Sequence, residues 1–309
     1  MLHYVFILKV SVMSESVRLA KRVSDLMACS RRDAETYIAG GWVLVDGRVV
    51  EQPNFMVADH KVELDPKATL KPQPPITILL HKPAGYDFGL TFDLLQKTKL
   101  RPKKKSDAPT VADESDEALD AQALNPEVET TPDPELDGID PEIKADLIKH
   151  DALQFLTLEN QEKGDRTGIR PLHSHFNKLT PTIRLESAAS GLVIYTQDRA
   201  IARKLIDDAS RVEQEFIVQV EGTLSEQDLK RLNQGFYHKG VLMPPAKVSW
   251  QNEHNLRFAL KGVQLDQIEQ MCQGVGLTVT GMKRIRIGRI SMSKLAAGEW
   301  RYLLGYERF

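Results

Sequence analysis

Between Ser106 and Ile143 the chain has no lysine or arginine and carries thirteen carboxylates interspersed with prolines. Such a stretch cannot bury enough apolar surface to offset the entropy of ordering it. Any domain around it must therefore be assembled from the pieces on either side. The thirteen charges outweigh the chain's net −2 and leave the other residues at +11. The foldable parts are basic, which suits a polyanionic partner. We read a surface insertion at about 100–149, opening with the basic stub Arg101-Pro102-Lys103-Lys104-Lys105. Two roles stay open for it: an inert solvated loop, and an acidic flap that competes for a basic groove.

A length of 309 residues suggests two domains. Cys29 and Cys272 lie far apart with no metal-ligand spacing, which points to a reduced, cytoplasmic protein. No apolar run is long enough to span a bilayer. Met1 to Val12 are apolar but short, with Lys9 among them and no cleavage pattern. Residues 1–13 read as an N-terminal extension, an added strand, with Met13 as a second candidate start.

Residues 14–65 read as a small α+β module. Apolar spacing predicts helices over Val17 to Leu26 and Arg31 to Ile38, the second capped by Ser30. Asp46-Gly47 between Val43-Leu44-Val45 and Arg48-Val49-Val50 predicts a hairpin, and His60 to Leu64 a third strand. Arg18, Lys21, Arg31 and Arg32 cluster at the two helix starts, where backbone N–H groups and guanidinium groups both suit phosphate.

The order Arg18-Leu19-x-Lys21, then Cys29-Ser30-Arg31-Arg32-Asp33-Ala34, then Gly41-x-Val43-x-Val45-x-Gly47 resembles the small RNA-binding domain named after ribosomal protein S4. The resemblance implies that Arg18, Lys21, Ser30, Arg31 and Arg32 contact RNA.

Pro66 to Pro75 is rich in proline and lysine and reads as a linker. Residues 76–309 then form one domain, interrupted by the insertion. Ile76 to Leu80 is a buried-type strand running into His81-Lys82-Pro83-Ala84-Gly85, where Lys82 is expected to meet a phosphate. After the insertion, strands are predicted at 191–196, 215–220, 247–250, 256–260, 278–287 and 290–292. Helices are predicted at 200–206, 225–233 and 265–272.

The segment Ile183-Arg184-Leu185-Glu186-Ser187-Ala188-Ala189-Ser190-Gly191-Leu192 resembles the G-R-L-D-x-x-T-x-G-L motif of RNA pseudouridine synthases. Lys82-Pro83-x-Gly85 resembles the K-P-x-G turn of the same enzymes. Met282-Lys283-Arg284-Ile285-Arg286-Ile287-Gly288 and Gly298-Glu299-Trp300-Arg301-x-Leu303 resemble their L-x-R-x-R-I-G and G-E-W-R-x-L segments. Together these match the S4-bearing branch of ribosomal RNA pseudouridine synthases, the RsuA/RluB/RluE/RluF family.

The resemblance implies an α+β fold with a mixed, mostly antiparallel sheet flanked by helices and a central RNA cleft. It implies isomerisation of a uridine flipped out of structured, ribosomal RNA by a monomeric cytoplasmic protein. No metal, no small-molecule cofactor and no membrane enter that chemistry. Glu186 takes the position of the catalytic carboxylate, Arg184 and Arg284 the basic positions that hold it, Phe216 the aromatic one that packs on the base, and Arg286 an RNA contact.

Several positions depart from the family pattern. Glu186 replaces Asp and reaches about 1 Å further, a displacement that can cost on the order of a hundredfold in rate. Phe216 replaces Tyr and lacks the hydroxyl. Ile183 and Ala189 stand for Gly and Thr. Asp266, Glu269 and Gln270 stand where the family has arginines. Two readings stay open: a working isomerase, and a catalytically inactive RNA-binding protein on the same scaffold.

Overall fold

The computed structural model describes residues 16–71, 73–89, 150–238 and 240–309. The expected N-terminal extension at 1–13 and the insertion at about 100–149 lie outside the described residues.

The small module packs helices Leu19–Met27 and Arg31–Ala39 against a three-stranded antiparallel sheet, in the order Arg48–Val49, Val43–Val45, Val62–Leu64. A short pair, Val17–Arg18 with Met56–Val57, closes it. Leu19, Ala20, Val23, Ala34, Ile38, Val43, Val45 and Val57 form its own core. The turn follows from its residues. Asp46 and Gly47 both have positive φ, 50° and 78°, the geometry of a two-residue hairpin turn that Asp-Gly tolerates. The Asp46 carboxylate then accepts from the Lys61 N–H at 2.8 Å. Ser30 caps its helix by accepting from the Asp33 N–H at 3.1 Å and donating to the Asp33 carboxylate at 2.7 Å.

The larger unit is built on a mixed sheet with strand order Lys247–Asn252, Asn255–Lys261, Glu213–Glu221, Thr278–Ile287, Ser190–Thr196, Thr77–Lys82 and Trp300–Tyr302. Ile290–Ser291 and Thr180–Pro181 add short edges. All pairs are antiparallel except Thr278–Ile287 with Ser190–Thr196, which is parallel. Thr77–Lys82 is buried along its whole length and Ser190–Thr196 along nearly all of it. Their unbroken apolar runs follow from covering both faces of the sheet. One face carries Leu79, Leu192, Ile194 and Ile287 under the helix Arg199–Ile206. The other carries Ile78, Leu80, Val193, Tyr195, Phe216 and Val218 under Glu226–Asn233 and Gln267–Gln273.

The stretch from Ala152 to Phe176 has no helical or strand periodicity. It forms short 3-10 turns at Ala152–Phe155, Leu158–Asn160 and His173–Phe176. Asp87 and Asp151 bridge, with the Asp87 N–H donating to the His150 carbonyl at 2.7 Å and the Ala152 N–H to the Asp87 carbonyl at 2.8 Å. No helix among the described residues is long and apolar enough to cross a membrane.

Candidate active site

The loop at residues 183–189 enters from Thr180–Pro181 and leaves into Ser190–Thr196. Its side chains alternate. Ile183 and Leu185 are buried, one on each face of the sheet, while Arg184 is exposed and Glu186 half-buried. Ile183 thus fills core space where the motif's glycine would leave none filled. Ala189 is fully buried, and its N–H closes a turn on the Glu186 carbonyl at 3.1 Å.

Two buried cations hold this loop by its backbone. Arg284 is wholly buried and donates to the carbonyls of Leu192 (2.8 Å), Arg184 (2.7 Å) and Ile183 (3.1 Å), and to Gln214 Oε1 (2.9 Å). A register shift in the pairing with Glu213–Glu221 falls directly after Arg284. Bulges of this kind re-aim side chains next to functional sites. The expectation that Arg284 grips the Glu186 carboxylate is therefore corrected: its donors go to the loop's backbone.

Lys82 is the second cation. Its Nζ sits among the carbonyls of Pro83 (3.0 Å), Tyr86 (2.6 Å), Ser187 (3.2 Å) and Ala189 (2.6 Å). It knots the Lys82-to-Tyr86 turn to the loop, and the Gly85 N–H adds a bond to the Ser187 carbonyl at 2.7 Å. Lys82 is fully buried, so the expected phosphate contact is corrected as well. Burial lowers its pKa to about 8 and the nearby Arg284 adds to the fall, while Asp87 and Glu186 oppose it.

Glu186 stands between two hollows. A cleft of about 880 Å³ is lined by Arg184, Glu186, Gln214 and Phe216, by Leu205 and Ile206 of one helix, and by Val241 to Pro244. A smaller hollow of about 350 Å³ on its other side is lined by Asp87, Phe88, Arg184, Asp266 and Glu269. Phe216 is buried in the strand opposite Arg284, with its ring toward the larger cleft. The Glu186 carboxylate accepts from the Asp266 N–H at 2.8 Å. Asp266 has a positive φ of 65° at the N-cap of its helix. Burial raises the pKa of Glu186. The Asp266 N–H opposes this, the Asp266 and Glu269 carboxylates raise it further, and Lys82 lowers it. The arrangement is a carboxylate with enhanced basicity beside an apolar cleft large enough for a nucleobase.

The remaining expected residues separate into two groups. Arg18, Lys21, Ser30, Arg31 and Arg32 are all exposed on the small module. Arg31 pairs with Glu35 at 3.0 Å across one helical turn, an exposed contact of small energetic weight. The Ser30 hydroxyl is engaged in its helix cap. Arg286 is the third correction. It bonds Glu213 and Glu215 at 2.5 Å each, and Glu215 also pairs with Arg257. Its charge is matched within the sheet and is not presented to a phosphate.

Sequence reasoning missed Gln214 and Asp87. Gln214 lies two residues before Phe216 on the same strand, so the two share a face. Asp87 accepts from the Ser187 hydroxyl and lines the smaller hollow.

A family model for the S4 domain matches residues 17–62. The dual-specificity RNA pseudouridine synthase RluF of Salmonella typhi is 28% identical over 142 residues, 46% of this chain and 49% of that protein. The RluF of Escherichia coli K12 gives the same identity and coverage. The chain thus spans about half the length of these relatives. An uncharacterised RNA pseudouridine synthase of Aquifex aeolicus is 22% identical over 93% of this chain and 92% of its own. A crystal structure of a pseudouridylate synthase aligns with a TM-score of 0.47 and 16% identity, over 93% of this chain and 96% of that one.

Proposed function

We propose that this chain, similar to S4-bearing RNA pseudouridine synthases, binds structured RNA and isomerises a uridine within it to pseudouridine. The observation that carries this reading is Glu186 at the edge of a nucleobase-sized cleft over Phe216, on a loop fixed from behind by Arg284. A uridine cannot reach such a site while stacked, so the target base leaves its helix. The uracil packs on Phe216. Glu186 acts on the sugar as nucleophile or base, the bond from ribose C1′ to uracil N1 breaks, and the uracil turns. C5 then bonds to C1′ as the carboxylate is released or returns its proton, the C5 hydrogen leaves to water, and N1 takes up a proton. A carboxylate whose pKa is raised by burial is the stronger base for this step.

Ribosomal RNA as the substrate, a monomeric state and a cytoplasmic location complete the reading. The +11 balance outside the acidic stretch and the exposed Arg18, Lys21, Arg31 and Arg32 support a large polyanion.

The test is tritium release from RNA labelled at carbon 5 of uridine. Wild-type protein releases tritium, and Glu186→Ala does not.

One observation favours a second reading, an RNA-binding protein with a silent site. The Glu186 carboxylate is tied to the Asp266 N–H and flanked by Asp266 and Glu269. Retained RNA binding with no tritium release from wild type would select it.

A further inference from the structure

The proline- and lysine-rich connection at 66–75 suggests two units on a tether, yet the small module is seated on the sheet domain through a built joint. Its centre is Arg170. The guanidinium donates to the Gly41 carbonyl at 2.6 Å, pairs with the Asp65 carboxylate, and lies 5.3 Å from the centre of the Trp42 ring. All three partners belong to the small module or its last residue, while Arg170 belongs to the sheet domain. A planar, five-donor group suits this combination of carbonyl, carboxylate and ring face.

Three further contacts surround it. The Glu51 carboxylate accepts from the N–H groups of His173 (2.9 Å) and Ser174 (3.1 Å), at the start of the 3-10 turn His173–Phe176. Gly41 has a φ of 69°, and a Cβ there would stand 2.3 Å from Leu172 Cδ2, so the two units close without a gap. Gln73 donates to the Gly40 carbonyl at 3.1 Å and meets His175 Nε2 at 2.9 Å. His175 Nδ1 in turn meets the Tyr302 hydroxyl at 2.7 Å, on the last strand of the large sheet. Each unit has a separate core, so this joint is not needed to fold either one.

We propose that Arg170 is a specificity-determining positioning residue. By clamping the small module it fixes the separation between the basic face at Arg18, Lys21, Arg31 and Arg32 and the cleft at Glu186. The protein then acts as a ruler, favouring RNA that presents a duplex and an unpaired uridine at one spacing. This rests on the RNA-binding reading above. Two sites held at a fixed separation gain effective concentration only for ligands that match the span, and a loose tether spreads the gain over many spans.

The experiment uses full-length protein and a set of RNA hairpins in which a spacer of variable length separates a duplex from an unpaired uridine. Wild-type affinity should peak at one spacer, with an advantage of about tenfold or more over mismatched lengths. Arg170→Ala should bring that advantage close to parity while affinity for the duplex alone stays unchanged. Glu51→Ala, which loosens the opposite side of the joint, should do the same. Arg170→Lys should restore only part of the peak, since an ammonium cannot serve all three partners at once.

Spin labels on Arg48→Cys and Lys230→Cys, in a Cys29→Ser background, report the joint directly: one narrow distance in wild type, a broad distribution in Arg170→Ala. A wild-type protein with no spacer preference, or an Arg170→Ala protein that keeps both peak and narrow distance, overturns the proposal. Absence of tritium release from wild type overturns the proposed reaction and leaves this inference standing, because affinity and distance are read without turnover. Absence of any RNA binding overturns both.

Discussion

Gly191 and Arg284 face each other across the parallel pair of strands, so closely that a methyl group on Gly191 would lie 2.3 Å from the Arg284 carbonyl oxygen. Gly191 also holds a φ of 119°, which L side chains rarely adopt. The contact places the buried guanidinium directly behind the loop that carries Glu186. Gly191→Ala therefore meets a clash and backbone strain together. We expect a loss on the order of 3 kcal/mol in stability by chemical denaturation, with RNA binding by the small module retained.

Glu186→Ala should abolish tritium release. Glu186→Asp separates the two functional readings. In a site adapted to the longer side chain, retracting the carboxylate by about 1 Å slows release by roughly a hundredfold. In a silent site the same change raises release above background, and adding Phe216→Tyr raises it further.

Asp266→Asn combined with Glu269→Gln tests the charges beside Glu186. Both carboxylates raise its pKa, so neutralising them lowers it. In the proposed reaction Glu186 works ionised, above its pKa, so the acidic limb of the pH–rate profile should move to lower pH. RNA should also bind about tenfold more tightly at low salt, as two negative charges leave the cleft wall.

Arg31→Ala with Arg32→Ala should flatten the dependence of RNA affinity on log salt by about one to two phosphate contacts. Arg286→Gln should leave that slope unchanged and instead cost about 1–2 kcal/mol of stability, because it strands Glu213 and leaves Glu215 with Arg257 alone. The Arg286 guanidinium, helped by Arg257, holds the Glu215 carboxyl below its ordinary range. That stability is present near neutral pH and is lost as pH falls through the lowered pKa, so Arg286→Gln should also blunt acid unfolding. Lys82→Met should likewise spare the slope and destabilise, by roughly 3 kcal/mol, as four carbonyls lose their donor.

Replacing the insertion, residues 100–149, with a short glycine–serine link should leave the melting temperature nearly unchanged. Asp87 and Asp151 already bridge, so a short link closes the gap without moving either end. A calorimetric shift of more than a few degrees would show that the replaced segment packs on the domain.

Local chemistry made much of this fold legible. Asp46-Gly47 carries its own turn geometry, Ser30 its cap, and the runs at Ile78 and Val193 their burial. The stretch from Ala152 to Phe176 was opaque because its 3-10 turns have no sustained period and its bonds reach distant strands. The same limit hid the partners of three site residues, Lys82, Arg284 and Arg286. A sequence shows that Lys82 and Arg286 are cationic. It does not show that four carbonyls enclose one and two carboxylates match the other, since those partners include Ser187, Ala189, Glu213 and Glu215, far along the chain. The family resemblance named Arg184, Glu186 and Phe216, and the fold brings these three to the lining of one cleft. Gln214 and Arg170 belong to no motif and became visible only when strands and domains were in place.

Arg284 holds its loop through carbonyl oxygens at positions 183, 184 and 192, a feature every amino acid supplies. The loop's shape is thereby insulated from the identity of the side chains that point outward at 184 and 186. A lineage can exchange those side chains one at a time without passing through an unfolded intermediate. A glutamate at position 186 is then an accessible step in sequence space that leaves the loop's fold intact.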